Sequence, residues 1–448
     1  MEEMAKRRIR NGIKVLAFLL AVFILYEELQ NLFVDDYHSE TRISFHEFYE
    51  TEENIDLVFI GSSHVRDGID AVYLTEKLGK SCFNMGTSSQ DLGSAYFLLL
   101  EILKQHQPER VYVEASLANL IRNQNSETAH YLIADYMKPS LNKVRYLETV
   151  SQEPHATNKY IPLCRSLNPL EGLKLSERIT VWRQKEASDA YRQMQYEEAM
   201  TESWHYYAGR GSWKITRDFS GQRTLAYSAG SDMYVTPERF DEGQLYWLEK
   251  IIELCQGKGI ALTCMVMPYS DMYVAANPYK WDDCMVYLRQ FCEDRQAYFV
   301  DFNCVSRETI LSDESCFGDG DHLNEQGNAQ FNAFLAKYLS GEDDVLWYGS
   351  AAERIGQEQG FHGFVYEKGR REETGTSLTL TPVYSGVQDW QYQIDIVEDD
   401  SDMVVAPLGT YIPFGQKYLV LGAEYDGKRL RITVWQEKQS LCTVYIWL

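Results

Sequence analysis

Short apolar runs alternate along the chain with longer segments whose apolar residues recur every three to four positions. DLVFI (56–60) predicts a buried strand, Ala71–Leu78 a helix, SCFNMG (81–86) a strand, and Gly93–Gln105 a helix with a Leu-rich face. VYVEAS (111–116) reads as a third strand, Gln244–Cys255 as a helix, and IALTCMVM (260–267) as a strand stopped by Pro268. Lys280–Arg295 predicts a helix, AYFVDF (297–302) a fifth strand and Asn324–Leu339 a closing helix. Apolar strands spaced by helices predict an α/β domain over 35–344, a flavodoxin-like parallel sheet with helices on both faces.

Two stretches break the alternation. Residues 118–243 are far too long for an ordinary crossover and predict a long helical insertion, with Ala187–Met200 as one helix, folding over the carboxyl edge of the sheet. Past 344 the pattern becomes apolar–polar alternation, as in WQYQIDIVE and CTVYIWL, with Asp426-Gly427 as a hairpin turn. Residues 345–448 are therefore expected to form an antiparallel β-sandwich.

At the start, Lys6, Arg7, Arg8, Arg10 and Lys14 precede an apolar run from Val15 to Tyr26, and no small-x-small cleavage site follows. This predicts an uncleaved N-terminal transmembrane helix over 1–34, with Lys14 snorkelling to lengthen it and residues from 35 onward outside the cytoplasm. A cleaved signal peptide and an amphipathic core helix are the alternatives.

The 448 residues are 45% hydrophobic and 13% aromatic, enough for large cores, and the net charge of −23 argues against a nucleic-acid partner. Nine cysteines contain no CxxC pair, so neither a zinc ribbon nor a thioredoxin-type site is expected; Cys264 in ALTCMVM reads as a small buried hydrophobe. Asp282-Asp283 and Glu398-Asp399-Asp400 read as solvated acidic turns, and no metal or cofactor is expected.

The chemistry-bearing residues begin where the first strand ends, at Gly61-Ser62-Ser63-His64. A serine nucleophile needs a base for its proton and a carboxylate to orient that base. His322, in GDGDHLNEQG after the fifth strand, is the candidate base. Asp319, three residues earlier, can fold back onto its Nδ1, with Asp321 as the competing acid. His64 is too close in sequence to serve Ser63 and reads as a supporting turn residue, while Asn324 reads as a helix cap. Both loops lie at the carboxyl edge of an open α/β sheet, where ligands bind, so Ser63 and His322 can converge.

Gly61-Ser62-Ser63 after the first strand, Asn84-Met85-Gly86 after the second, and the terminal Asp319-x-x-His322 resemble the SGNH/GDSL hydrolase superfamily over about 54–340. The resemblance implies Ser63 as nucleophile, His322 with Asp319 as the other triad members, and the Ser63 and Gly86 amides as an oxyanion hole. Gly61, Ser62, His64, Asn84 and Asp321 would surround them. Ser62 replaces the family's aspartate, and its Gly-x-Asn-Asp block is absent; VYVEASLANL offers only Ser116 and Asn119. Envelope-associated members resembling alginate O-acetylation proteins and the D-alanine transfer protein of teichoic acid synthesis also depart from the standard blocks.

The resemblance thus implies a membrane-anchored, extracytoplasmic serine esterase or O-acyltransferase acting on cell-surface polysaccharide or another acylated glycan. Acetyl-CoA is cytoplasmic, so transfer outside implies a membrane-bound O-acyltransferase partner. The alternative is a catalytically inactive SGNH-like scaffold or glycan-binding protein. Trp204, Tyr206, Tyr207 and Trp213 of the insertion read as core, with sugar stacking as the alternative.

Overall fold

The structure is a computed structural model that describes residues 2–447 apart from 38, 122–126, 169–173, 195–199, 203, 217–225, 229–234, 276–277, 312–313, 320, 343–344, 359, 372–374, 387–389, 399–402, 414–417, 422–423, 425–426 and 437. Asp426 of the expected hairpin turn and Asp399-Asp400 of the acidic run lie outside the described residues.

The chain opens with helices α1 (Glu2–Phe33) and α2 (Glu40–Glu50), and then begins the sheet with β1 (Leu57–Ile60). There follow α3 (Ser63–Gly68), α4 (Ala71–Leu78), β2 (Cys82–Asn84), α5 (Leu92–Ile102) and β3 (Arg110–Glu114). The insertion holds α6 (Leu175–Ala187) and strands β4 (Met200–Glu202), β5 (His205–Gly209), β6 (Ser212–Ile215) and β7 (Ala226–Ser228). The α/β pattern resumes with α7 (Glu242–Lys258), β8 (Ala261–Val266), α8 (Pro278–Glu293), β9 (Tyr298–Asp301) and α9 (Glu325–Ser340).

Strands β2-β1-β3-β8-β9 form one sheet in that order, every pairing parallel. This is the doubly wound order in which the connection reverses beside the first strand, and the crevice there lies at the carboxyl ends of β1 and β3. Strand β1 is buried on both faces. Val58 and Ile60 join the core built with α2, α5, α7 and α8, while Leu57 and Phe59 join the one built with α4 and α9. Period-two alternation therefore feeds two apolar layers, which is why the strand reads as an uninterrupted apolar run.

The insertion is helical in its first part, with further helices at Glu127–Ala134 and Leu141–Val150, and departs from the helical expectation beyond Gln193. Ala187–Met200 is not one helix: α6 ends at Ala187, a short helix covers Asp189–Gln193, and β4 starts at Met200. The Tyr- and Trp-rich stretch folds as the antiparallel sheet β4-β5-β6. Its β5–β6 turn docks on the edge strand β2, where the Asn84 N–H donates to Arg210 O at 2.9 Å. Gly211, at φ +80°, is required there, because a Cβ would lie 1.8 Å from Asn84 O.

Segment Ala351–Gln357 (α10) leads into the last strands: β10 (Gly360–Arg371), β11 (Gly375–Ser385), β12 (Trp390–Val397), β13 (Val404–Pro413), β14 (Tyr418–Leu421), β15 (Arg429–Gln436) and β16 (Gln439–Trp447). They make two four-stranded sheets, β14-β11-β10-β7 and β13-β12-β15-β16. Phe364, Leu378 and Leu380 of one meet Tyr392, Ile394, Ile432 and Val444 of the other in a shared core. The insertion supplies an edge strand here, since β7 pairs in parallel with β10. Arg354 of α10, fully buried, donates to Asn303 O and Asp271 Oδ1 at 2.6 Å each and ties the segment to the α/β domain.

Helix α1 shows apolar side chains to its surroundings on every side, with Leu16, Phe18, Leu19, Phe23 and Leu25 each more than half exposed. Among the described residues no helix is long and apolar enough to cross a membrane. The apolar stretch of α1 from Val15 to Leu25 reaches about 17 Å at 1.5 Å per residue, against a hydrocarbon core of about 30 Å. Cys264 is buried in the sheet core as a thiol.

Candidate active site

The turn that presents Ser63 is built by its neighbours. Gly61 leaves β1 with no room for a side chain: a Cβ would lie 2.5 Å from Val65 Cγ2 and 2.6 Å from Glu114 Cβ. The Ser62 N–H donates to Glu114 Oε2 at 2.6 Å, and the Ser62 side chain caps α3 by accepting from the His64 N–H. Ser63 is the first residue of α3, so its N–H has no acceptor within the helix. Asn84 holds the far end of α3. Its Nδ2 donates to the carbonyls of Val65 (2.8 Å), Arg66 (3.2 Å) and Ile69 (3.0 Å) around the end of that helix.

His322 comes from the loop before α9. A bridge between Phe317 and Leu323 closes that loop, Gly318 N–H donates to His322 O at 2.8 Å, and Asn324 caps α9 through Gly327 N–H. Its Nε2 stands 2.7 Å from Ser63 Oγ across 259 residues of sequence. On the other side of the ring, Nδ1 lies 2.9 Å and 3.1 Å from the two Asp319 oxygens. Asp319 Oδ1 also accepts from the backbone N–H of Asp321 and of His322, which fixes the carboxylate against the ring. With His322 neutral, the Ser63 hydroxyl donates to Nε2 while Nδ1–H faces the carboxylate, the arrangement that makes a serine oxygen nucleophilic.

Asp321 is not turned away, as its place beside His322 in sequence suggested; its Oδ1 lies 3.1 Å from the same Nδ1. Burial alone pushes the His322 imidazole down, but the Asp321 charge and hydrogen bonds to Asp319 and Asp321 hold it well above the usual histidine range.

His64 sits behind the pair, its ring centroid 4.8 Å from that of His322. Its Nδ1 is 2.8 Å from Glu114 Oε1 and 3.1 Å from the Tyr269 hydroxyl, and its Nε2 is 3.3 Å from Asp321 Oδ2. Burial opposes its charge, yet Glu114 first and Asp321 second hold it up to about 9. Burial likewise opposes ionisation of Glu114, and the facing His64 outweighs it, leaving the carboxyl below its usual range. Sequence reading missed Glu114 and Tyr269. The acid at the end of an otherwise apolar VYVE strand is the one signal for Glu114; Tyr269 carries none.

The geometry corrects the role implied for Gly86. Its N–H donates to Asn84 Oδ1 at 2.9 Å, and a Cβ would lie 2.5 Å from Arg66 N, so Gly86 packs the end of β2 against α3. Of the two amides implied for an oxyanion hole, that of Gly86 is thus committed elsewhere. Asn119 is also engaged, donating to Gln90 O at 2.6 Å. Tyr207 and Trp213 are buried core residues, at 2% and 1% exposure, out of reach of a sugar. Trp204 stacks on His205, and the Tyr206 hydroxyl donates to Glu325 Oε1 at 2.8 Å, close in sequence to His322. His64, Asp321 and His322 bring ligand-type atoms within 4.8 Å of one another, but the contacts described above already engage each of them.

No family model and no curated protein matches the chain. Among solved structures, a GDSL-like lipase from Bacteroides thetaiotaomicron is similar at 9% identity and a TM-score of 0.30, covering 68% of this chain and 98% of that one. A putative acylhydrolase from Bacteroides fragilis follows at 9% identity and 0.29, covering 66% and 93%. A gut microbial diltiazem-metabolizing enzyme shows 12% identity and 0.26, with 79% of this chain matched to 61% of that one. Scores this low carry no inference about chemistry, which has to come from the sheet order and the side chains themselves.

Proposed function

We propose that the protein is a membrane-attached serine acyl esterase or O-acyltransferase that works on acylated cell-envelope polysaccharide outside the cytoplasm. The observation that carries the reading is the 2.7 Å contact of Ser63 Oγ with His322 Nε2, backed by Asp319 at 2.9 Å from Nδ1. Ser63 Oγ attacks the acyl carbonyl as its proton passes to His322 Nε2, and the Ser63 amide is the open donor for the developing oxyanion. Collapse expels the donor's oxygen, which takes the proton back from His322 and leaves the acyl group as an ester on Ser63. Water, or a sugar hydroxyl deprotonated by His322, then receives it. The half-exposed Trp204 and Tyr206 support a glycan acceptor, since aromatic faces stack on sugars.

The attachment is read from α1. Its exposed apolar side chains between Lys14 and Glu27 would be covered by acyl chains, with the basic residues at its start facing anionic headgroups on the cytoplasmic side. Leu19→Glu with Phe23→Glu should abolish flotation of the full chain with liposomes, whereas unchanged flotation would remove the anchor. A membrane-bound O-acyltransferase remains the partner proposed for a transfer reaction.

An activated acetyl ester tests the chemistry. A burst of leaving group equal to the enzyme concentration, lost in Ser63→Ala, is expected, and a glycan acceptor that speeds the steady state would select transfer over hydrolysis. The second reading, a non-catalytic glycan-binding scaffold, is favoured by the committed Gly86 amide. It predicts no burst and glycan binding that survives Ser63→Ala.

A further inference from the structure

Two carboxylates face one nitrogen of the candidate base: Asp319 Oδ1 at 2.9 Å and Asp321 Oδ1 at 3.1 Å from His322 Nδ1. One suffices to orient the ring. Two unanswered negative charges would keep the imidazole protonated, and a protonated Nε2 cannot take the Ser63 proton.

The second charge is answered from behind. His64 is buried, with Nδ1 2.8 Å from Glu114 Oε1 and Nε2 3.3 Å from Asp321 Oδ2. An ionised carboxylate accepts hydrogen bonds and cannot donate them, so both ring nitrogens carry hydrogen and His64 is an imidazolium. The groups that face it are Ser62 Oγ from its own turn, Glu114 from β3, the Tyr269 hydroxyl after β8, and Asp321 with His322 from the loop before α9. Asp321 faces two rings, His322 at 3.1 Å and His64 at 3.3 Å, so when His322 is neutral the charge that answers Asp321 is that of His64.

We propose that His64, held by Glu114, is a positioning residue that binds Asp321 and offsets part of its charge, so that His322 is held up less than two unanswered carboxylates would hold it. The proposal rests on reading Ser63 and His322 as an acyl-transfer pair. The buried Glu114–His64 pair also explains why Gly61 cannot carry a side chain, because Glu114 occupies that space. The His64 imidazole held up to about 9 is in keeping with a lasting positive charge at neutral pH.

The test follows the acid limb of kcat/KM for an activated acetyl ester, which reports the base in the free enzyme. His64→Gln leaves Asp321 unanswered and should move that limb to higher pH by about one to two units, taking a unit charge roughly 5 Å away in a medium of intermediate dielectric. Asp321→Asn should move it to lower pH, and the double variant should return it close to the parent. If His64→Gln lowers kcat with the limb unmoved, or if both single variants move it the same way, the charge-balancing role is wrong. Titration of the His322 ring hydrogens by NMR in the Ser63→Ala background reads the same shifts without turnover. A parent that forms no acyl-enzyme, with those shifts present, would sink the acyl-transfer reading while leaving the charge balance standing. Asp321→Asn is nearly isosteric and partly exposed, so its opposite shift remains measurable should His64→Gln fold poorly.

Discussion

Replacing Gly61 with alanine puts a methyl group 2.5 Å from Val65 Cγ2, 2.6 Å from Glu114 Cβ and 2.7 Å from Glu114 Oε2. Carbon atoms in contact rest at about 3.5–4.0 Å, so the neighbours must give by about 1 Å. Val65 can rotate, but Glu114 cannot move without losing its bonds to the Ser62 N–H and to His64 Nδ1. Overpacking of this kind costs about 1–3 kcal/mol, and a lost hydrogen bond to a charged acceptor adds about 1.5–3 kcal/mol. The sum is about 2.5–6 kcal/mol. At about 2 °C per kcal/mol for a large domain, the melting transition of the α/β domain should fall by about 5–12 °C. Differential scanning calorimetry of parent and Gly61→Ala measures it, with ester turnover followed on the same samples. A transition within about 1 °C of the parent and unchanged turnover would refute the claim that Glu114 and the nucleophile turn are locked together through this glycine.

Asn84→Ala removes the donor shared by three carbonyls at the end of α3 and should destabilise the protein by about 2–4 kcal/mol in urea unfolding, with ester turnover falling as the helix that begins at Ser63 loosens. The His64 charge makes stability pH-dependent in a defined direction. Its imidazole is held up to about 9 in the folded protein, against 6.5 as the ordinary value. That stabilisation is complete below about pH 6.5 and is lost as pH rises through about 9, a difference of about 3 kcal/mol. Urea unfolding of the parent minus that of His64→Gln should therefore shrink by this amount between about pH 6 and pH 9.5, and a constant difference would contradict it.

The central sheet was legible in sequence because parallel strands buried on both faces must be apolar throughout, as DLVFI is, and helices of eight or more residues show their period. Ala71–Leu78 has the same bounds in the sequence reading and in the structure. The Asp319–His322 contact was legible because its geometry is local, one turn of chain. Strands β5 and β6 were not. Each is too short to display alternation, and their Tyr and Trp residues fit a helical core equally well. β7 is shorter still, and its place beside β10 depends on partners far along the chain. Glu114, Tyr269 and His64 meet from three separate elements, so no spacing announces them. The Asn84-x-Gly86 pair was visible as a motif, yet the direction of one amide, set by the packing of β2 on α3, decides what it does.

In the proposed reaction Ser63 accepts an acyl group with His322 as its base. Intact-mass measurement followed by peptide mapping of the full chain after exposure to an activated acetyl ester tests this most directly. One acetyl group per chain is expected, carried on Ser63, and none in Ser63→Ala or His322→Ala. A folded parent with no adduct on Ser63, or the same adduct in His322→Ala, would contradict it.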